Sequence, residues 1–426
     1  MKALVIGNGG REHALVWKLS QSPLIDRIYC SPGNGGTAAI ATNIDARAGV
    51  DPANHHAIAA FAAREGIDLT VVGPDAYLAK GTVDAFQNRD LPVYGPTQAA
   101  ARLEASKAFA KEFMQKYRIP TAAFATFDHP QEAKEYIRRH GAPLVVKADG
   151  LAAGKGVIVA ADPETACNAV DQIMTERLFG ESGARVVIEE FLSGEEVSLL
   201  AFCDGTTAVP MIPVQDHKCI GEGDTGLNTG GMGTYAPTTV FTPDLARRVT
   251  AEILEPTLRG MRDEGCPFQG TLFLGLMLTP DGPKVIEYNA RFGDPETQVV
   301  LPLLASDIVP ILRDAIAGRL KPDAARWRQA AAVCVVAASG GYPGTFETGK
   351  VIHGLEAVRD SLIFHAGTRL AEDGALRTAG GRVLNVVHLG QNIGAACAGA
   401  YQDLRRIRFD GMYFRRDIAW RELKRR

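Results

Sequence analysis

Two apolar runs around a tight turn constrain this chain more than any other feature. Residues 271–279 (TLFLGLMLT) and 284–289 (KVIEYN) flank Pro280-Asp281-Gly282-Pro283, the pattern of a β-hairpin. Strict alternation along the second strand puts Val285, Glu287 and Asn289 on one face, with Arg291 continuing the series. Ile286 and Tyr288 then fall on the other. A carboxylate, an amide oxygen and a guanidinium two residues apart make a hard-oxygen metal site beside a fixed cation. Magnesium keeps several waters and shares its shell with substrate phosphates, so two protein ligands suffice. Glu287 and Asn289 are the candidate metal ligands. An exposed polar strand face has the same spacing, so the assignment leans on the rest of the chain.

At 426 residues the chain has room for about three domains. Residues 3–95 read as short buried strands alternating with glycine turns and helices, which argues a parallel sheet covered on both faces. From about residue 121 the pattern changes to a small α+β unit. A polar, glycine-rich tract follows at 215–233, then a helix at 243–264 and the hairpin. A strong strand at 331–338 opens a last region, and the basic end 415–426 (RRDIAWRELKRR) reads as a solvated terminal helix. The net charge of -3 recruits neither nucleic acid nor an anionic membrane, so phosphate-binding charge has to be local. Seven scattered cysteines without a C-x-x-C motif suit a reducing cytosol. The start MKALVIGN is too short an apolar run for a signal peptide, and no stretch nears a membrane span. A cytoplasmic protein is expected, with monomer as the default state.

The glycine loops exclude two common readings. Residues 5–13 (VIGNGGREH) carry Glu12 where a dinucleotide fingerprint needs glycine, and Cys30-Ser31-Pro32-Gly33 ends the second strand where an acid is required. The turn at Gly9-Gly10 still offers backbone amides to an anion at a helix N-terminus. Residues 147–156 (KADGLAAGKG) lack the Walker A spacing and run into a strand. They read as a strand–loop–strand flap whose glycines (150, 154, 156) close over phosphates, with Lys147 and Lys155 supplying charge. In 188–197 (IEEFLSGEEV) a strand leads to a turn that presents backbone groups to an adenine edge. Glu196 lies seven residues beyond Glu189, suited to ribose hydroxyls.

Taken together, 7–13 (GNGGREH), 146–157 (VKADGLAAGKGV), 215–218 (QDHK), 228–233 (NTGGMG) and 291–298 (RFGDPETQ) resemble the ATP-grasp superfamily. Within it they resemble the phosphoribosylamine–glycine ligase (glycinamide ribonucleotide synthetase) family in its monofunctional form. The similarity runs along nearly the whole chain, and RFGDPETQ is its most specific segment. The resemblance implies a mixed α/β and α+β fold in three parts. These are a Rossmann-like pre-ATP-grasp domain (1–103), an ATP-grasp body (104–327) with a mobile lid near 122–192, and a β-rich C-terminal domain (328–426).

It also implies ATP as co-substrate with Mg2+, or Mn2+ in its place, and glycine and 5-phosphoribosylamine as small-molecule substrates. Lys107, Lys147, Gly154, Lys155 and Gly156 are then expected at the ATP phosphates, Glu189 and the Leu192 backbone at adenine, and Glu196 at ribose. Glu287 and Asn289 hold the metal. Arg291 holds the glycine carboxylate and the acyl phosphate, with Lys147 assisting and Asp216 or Asp294 available as proton acceptor. His217 is another acceptor candidate, although a lone histidine in a polar loop is more often solvated. Gly9 and Gly10 cradle the ribose 5-phosphate, and Asp216, Lys218 and Gly231 line the remaining pocket. Other ATP-grasp carboxylate–amine ligases, a biotin-dependent carboxylase subunit, and a non-catalytic nucleotide sensor are the alternatives.

Overall fold

The computed structural model describes residues 1–152 and 156–425. The first region is a five-stranded parallel sheet in the order Thr42–Asn43, Arg27–Pro32, Lys2–Gly7, Leu69–Val72, Val93–Tyr94. Ala3, Leu4, Val5 and Ile6 are all fully buried, because helices cover both faces of the central strand.

Two antiparallel sheets follow. Phe124–Phe127, Val186–Glu190, Leu144–Ala148 and Val157–Ala160 form a small sheet backed by the helices Pro130–His140 and Pro163–Val170. The strands on either side of the 148–156 loop pair antiparallel, the strand–loop–strand order expected there; residues 153–155 lie outside the described residues. Ala208–Pro210, Glu195–Asp204, Gln269–Thr279 and Gly282–Asn289 form the second sheet. The hairpin closes where Thr279 pairs with Gly282, around Pro280-Asp281.

The register of that hairpin differs from strict alternation. Gly275 pairs with Glu287 but Leu276 pairs with Val285, so Ile286 is the extra residue of a β-bulge. Val285 (0% exposed) and Tyr288 (3%) therefore both face the core, three residues apart. Ile286, Glu287 and Asn289 line the cavity on the opposite face. Val285 does not share the face of Glu287, and Ile286 does. The bulge leaves the acid–amide pair together while turning the preceding strand over. Gly275 gives Glu287 its room, since a Cβ there would sit 3.1 Å from Glu287 Cγ.

The last sheet is antiparallel, in the order Gln215–Asp216, Gly233–Ala236, Ala331–Ser339, Arg382–Gly390, Leu362–His365. Every residue of Ala331–Ser339 is buried, with the helix Ile393–Leu404 and the helix Thr297–Leu303 packed against it. Its first two strands come from the middle of the chain. This pulls the glycine-rich 215–233 tract between the hairpin and the C-terminal region.

The C-terminal end is not a solvated helix. Arg415 and Ala419 are fully buried, and Ile418 and Glu422 are 1% exposed. Only Trp420–Lys424 is helical. The basic residues mislead because Arg415, Arg421 and Arg425 are consumed by internal carboxylates, Asp224, Asp417, Glu195 and Glu422.

Candidate active site

A cavity of about 460 Å³ opens between these sheets, and its wall carries most of the residues singled out from the sequence. Met114, Val145, Leu192, Met277 and Ile286 give it an apolar part suited to a flat base. Lys107 opens the helix Lys107–Lys116, whose start is fixed twice over. Ser106 Oγ accepts from Phe109 N–H, and Asp149 of the flap accepts from Ala108 N–H at 2.7 Å and from Ser106 Oγ–H at 3.0 Å. Lys107 Nζ donates to Gly150 O at 3.0 Å. Burial lowers the Lys107 pKa against the pull of Glu287. Gly156 lines the cavity, whereas Gly154 and Lys155 lie outside the described residues.

Lys147 belongs to a buried ionic triad. Its Nζ is 2.8 Å from Glu189 Oε1, while Lys111 Nζ is 2.8 Å from Glu189 Oε2. Lys147 also donates to Ile286 O at 3.1 Å, which ties it to the bulge. Burial opposes the Glu189 charge, but the two ammoniums override it and hold the carboxylate below its usual range. Burial pushes Lys111 down to about 8. The Glu189 side chain is therefore committed to the two lysines and not free for the adenine contact expected of it. Lys111 went unassigned from the sequence, although its i+4 spacing from Lys107 places both on one helix face.

Glu287 has no hydrogen-bond or ion-pair partner among the described residues. Asn289 Oδ1 accepts from Arg291 Nη2 at 2.9 Å. No cluster of three or more acidic, histidine or cysteine side chains suited to a metal occurs among the described residues. One free carboxylate and one amide oxygen fit an ion whose remaining ligands are phosphates and water, not a closed protein cage.

Arg291 is bracketed by acids. Its Nη2 is 2.9 Å from Glu104 Oε1, and Glu104 Oε2 accepts from Ala290 N–H at 2.7 Å. Burial works against the guanidinium, yet Glu104, Asp75, Glu296 and Glu287 together raise its pKa above the ordinary arginine value. Its Nε is buried without a partner. Glu104 gave no sequence signal, because it precedes Lys107 across a break between two helices.

Across the cavity stand Asp216, Lys218, Glu196 and Glu296. Lys218 Nζ is 2.5 Å from Glu196 Oε2 and 3.8 Å from Asp216 Oδ1. Glu296 is 5% exposed, and burial followed by the Asp216 carboxylate pushes its pKa up to about 7. Asp216 is likewise raised, first by burial. Glu296 lay inside the quoted RFGDPETQ segment but received no role.

Four expectations change. His217 is fully buried and accepts from Ala419 N–H at 3.2 Å, with its pKa lowered to about 3 by burial and then by Arg415 and Arg421. It is neither solvated nor a base. Gly9 and Gly10 do not line the cavity: Gly9 N–H donates to Glu12 Oε2 at 2.6 Å, and Gly10 packs on the Gln298 and Asn385 amides. The helix start is already answered by the protein's own carboxylates, Glu12 and Asp294. Gly231 is behind the wall, where a Cβ would come within 2.5 Å of Pro295 Cδ, and Gly230 lines the cavity instead. Asp294 does line it, but burial is overridden by Arg382 and Arg11, which hold its pKa low. It accepts from Gln298 Nε2 at 2.9 Å and Arg11 N–H at 3.3 Å, so it is a poor proton acceptor. Arg11 and Arg382 add positive charge to this part of the wall. Arg382 Nη1 spans Gly230 O and Asp294 O, both at 2.7 Å. Contacts 152 and 88 residues apart leave no local signal.

Three family models match the chain in order: phosphoribosylglycinamide synthetase N domain over residues 1–104, ATP-grasp (A) domain over 105–297 and C domain over 332–421. A phosphoribosylamine–glycine ligase of Brucella melitensis is 50% identical over 428 residues, covering 100% of this chain and 99% of the relative. One from a Nostoc species is 51% identical over 427 residues, covering 99% of each. The crystal structure of the Thermotoga maritima phosphoribosylamine–glycine ligase superposes with a TM-score of 0.85 at 35% identity, over 98% of this chain and 100% of that one. Campylobacter jejuni biotin carboxylase shares the fold alone, with a TM-score of 0.74 at 13% identity over 97% of this chain and 92% of that one.

Proposed function

The chain belongs to the phosphoribosylglycinamide synthetase family, and from that membership we infer that it joins glycine to 5-phosphoribosylamine at the expense of ATP. The products are glycinamide ribonucleotide, ADP and phosphate, a step of purine biosynthesis. It is an ADP-forming ATP-grasp ligase that uses a divalent metal. Mg2+ is the ion we assign, with Mn2+ as its substitute. The protein acts on small molecules, and we take it as a cytoplasmic monomer. Free thiols at all seven cysteines fit a reducing compartment.

The chemistry asks for two separated jobs. A carboxylate does not acylate an amine at neutral pH, because oxide is a poor leaving group. The glycine oxygen therefore attacks the γ-phosphorus, ADP leaves, and glycyl phosphate results. The phosphoribosylamine nitrogen then attacks the acyl carbon, and phosphate departs. Glu287 and Asn289 would hold the divalent ion, which would supply charge neutralisation at the phosphates. Lys107 and Lys147 neutralise the rest, with Lys147 held in place by Glu189. Acyl phosphate hydrolyses in water, so the 148–156 flap, whose strands meet the cavity, has to cover it.

One observation carries the assignment of glycine: a cation and an acidic pair face each other across a single cavity. Arg291 suits the carboxylate, and Asp216 with Glu296 suits the ammonium. A zwitterion needs both. Arg11 and Arg382 suit the ribose 5-phosphate, taking the role first given to Gly9 and Gly10. ADP release should require glycine and freshly generated phosphoribosylamine together for full turnover; equal rates with either alone refute the reading. Glu287→Gln should raise the Mg2+ concentration at half-maximal rate by about tenfold, since one charged oxygen ligand is lost. An unchanged Mg2+ titration removes Glu287 from the metal site.

A further inference from the structure

Side chains alternate along residues 215–218. Asp216 and Lys218 line the cavity, whereas Gln215 (1% exposed) and His217 (0%) point away from it. Behind this wall runs the C-terminal segment. Tyr413 Oη–H donates to Ile220 O at 2.8 Å. Arg415 donates from Nη1 to Cys219 O and Asp224 Oδ1, both at 3.0 Å, and forks onto Asp417 from Nε and Nη2 at 2.8 and 2.7 Å. Asp417 Oδ2 in turn accepts from Gly223 N–H at 2.8 Å. The Ile418 side chain fills the space over Gly233, where a Cβ would fall 2.6 Å from Ile418 Cδ1.

The contact at His217 is the most telling. Ala419 sits at φ +70, a left-handed conformation that a residue with a Cβ adopts only when its surroundings impose it. It is fully buried, and its N–H is received by His217 Nε2. With Nε2 accepting, the ring proton falls on Nδ1, which is buried without a partner, so the Ala419 contact is the ring's one hydrogen bond among the described residues. No residue of 413–425 lines the cavity itself.

We propose that His217 and Arg415 are positioning residues, which make the segment 413–421 the outer support of the wall that presents Asp216 and Lys218. This rests on the reading that the wall handles glycine. The wall's backbone is paired along 228–236: Gln215 and Asp216 with Tyr235 and Thr234, His217 with Gly233 O and Met232 N–H at 2.9 and 2.8 Å, and Lys218 O with Thr229 N–H at 2.8 Å. The contacts to His217 Nε2, Cys219 O and Ile220 O hold the same short stretch from behind. Loosening the support is therefore felt first by glycine, while Lys107, Lys147 and Leu192, which come from other elements, keep the main hold on ATP; the half-exposed Lys218–Glu196 pair ties the wall to the ribose side.

The test is steady-state kinetics on the full chain, with glycine and ATP varied separately, for His217→Gln, His217→Asn, Arg415→Lys and Asp216→Asn. A glutamine amide oxygen reaches the Nε2 position and accepts from Ala419 N–H; an asparagine amide oxygen stops at the Nδ1 position and does not. His217→Asn and Arg415→Lys should raise the glycine KM about tenfold and leave the ATP KM within about twofold, and His217→Gln should stay near wild type. All three keep a polar group in the buried site, and thermal melts check that each is folded. A wild-type glycine KM in His217→Asn and Arg415→Lys, with a raised one in Asp216→Asn, overturns the support while sparing the site. Equal rises for ATP and glycine overturn it too. A silent Asp216→Asn removes the wall's role in glycine handling, and the proposal falls with it.

Discussion

Arg291→Ala should lower kcat by about 10²–10³ while the affinity for a non-hydrolysable ATP analogue stays within about twofold, the signature of a lost transition-state donor. The guanidinium is oriented before any substrate arrives. Nη2 is held by Glu104 Oε1 and Asn289 Oδ1, each at 2.9 Å, and Nη1 donates to Phe292 O at 3.2 Å. Nε is left buried with no partner. A buried unpaired donor costs about 1–3 kcal/mol, a cost relieved when an oxyanion takes it. Lysine offers no planar fork, so Arg291→Lys should recover little of the loss. Deleting the arginine also strands the buried Glu104 carboxylate, and such a break can destabilise a protein by about 3–5 kcal/mol. The double variant Glu104→Gln/Arg291→Ala separates the two effects. It should regain thermal stability and remain slow. Recovery of kcat in the double variant, or a kcat within about threefold of wild type in Arg291→Ala, removes Arg291 from the chemistry.

How far the sequence reaches is clear from where its reading bends. The parallel sheet was legible because Ala3–Ile6 is a short apolar run with glycine at its end, and a strand buried on both faces leaves that mark. The bulge at Ile286 was not. Period-2 alternation presumes an unbroken ladder, and nothing in 284–289 announces an extra residue. The chemistry survived because Glu287 and Asn289 both lie beyond the bulge. Charged residues were read worst. Glu189 looked like an adenine contact until two lysines claimed it, and Arg415 looked like a solvent-facing tail residue until Asp224 and Asp417 did. Arg415 and Asp224 lie far apart in sequence, and the Glu104–Arg291 partnership spans a separation nearly as long. No window of sequence contains such a pair.

The same logic makes Glu296 the residue whose replacement should separate binding from stability. Burial, and then the Asp216 carboxylate, raises its pKa from 4.5 to about 7. A carboxyl raised in the folded state stabilises the fold at acid pH, and that contribution is lost as pH climbs through about 7. Glu296→Gln should therefore raise the melting temperature at pH 8, by up to about 3 kcal/mol of stability, and do little at pH 5. Glycine binding should move the other way. Below about pH 7 a proton occupies the acidic pair and competes with the glycine ammonium, so the wild-type glycine KM should fall as pH rises from 6 toward 8. Glutamine cannot ionise. The variant should lose that slope and show a glycine KM about 10–100-fold higher at pH 8, the worth of one charge-assisted hydrogen bond. The ATP KM should not follow. A protein that becomes more stable and binds glycine worse places the buried carboxylate in the site for function. A glycine KM that keeps its slope through pH 7 in Glu296→Gln assigns the ammonium to some other group.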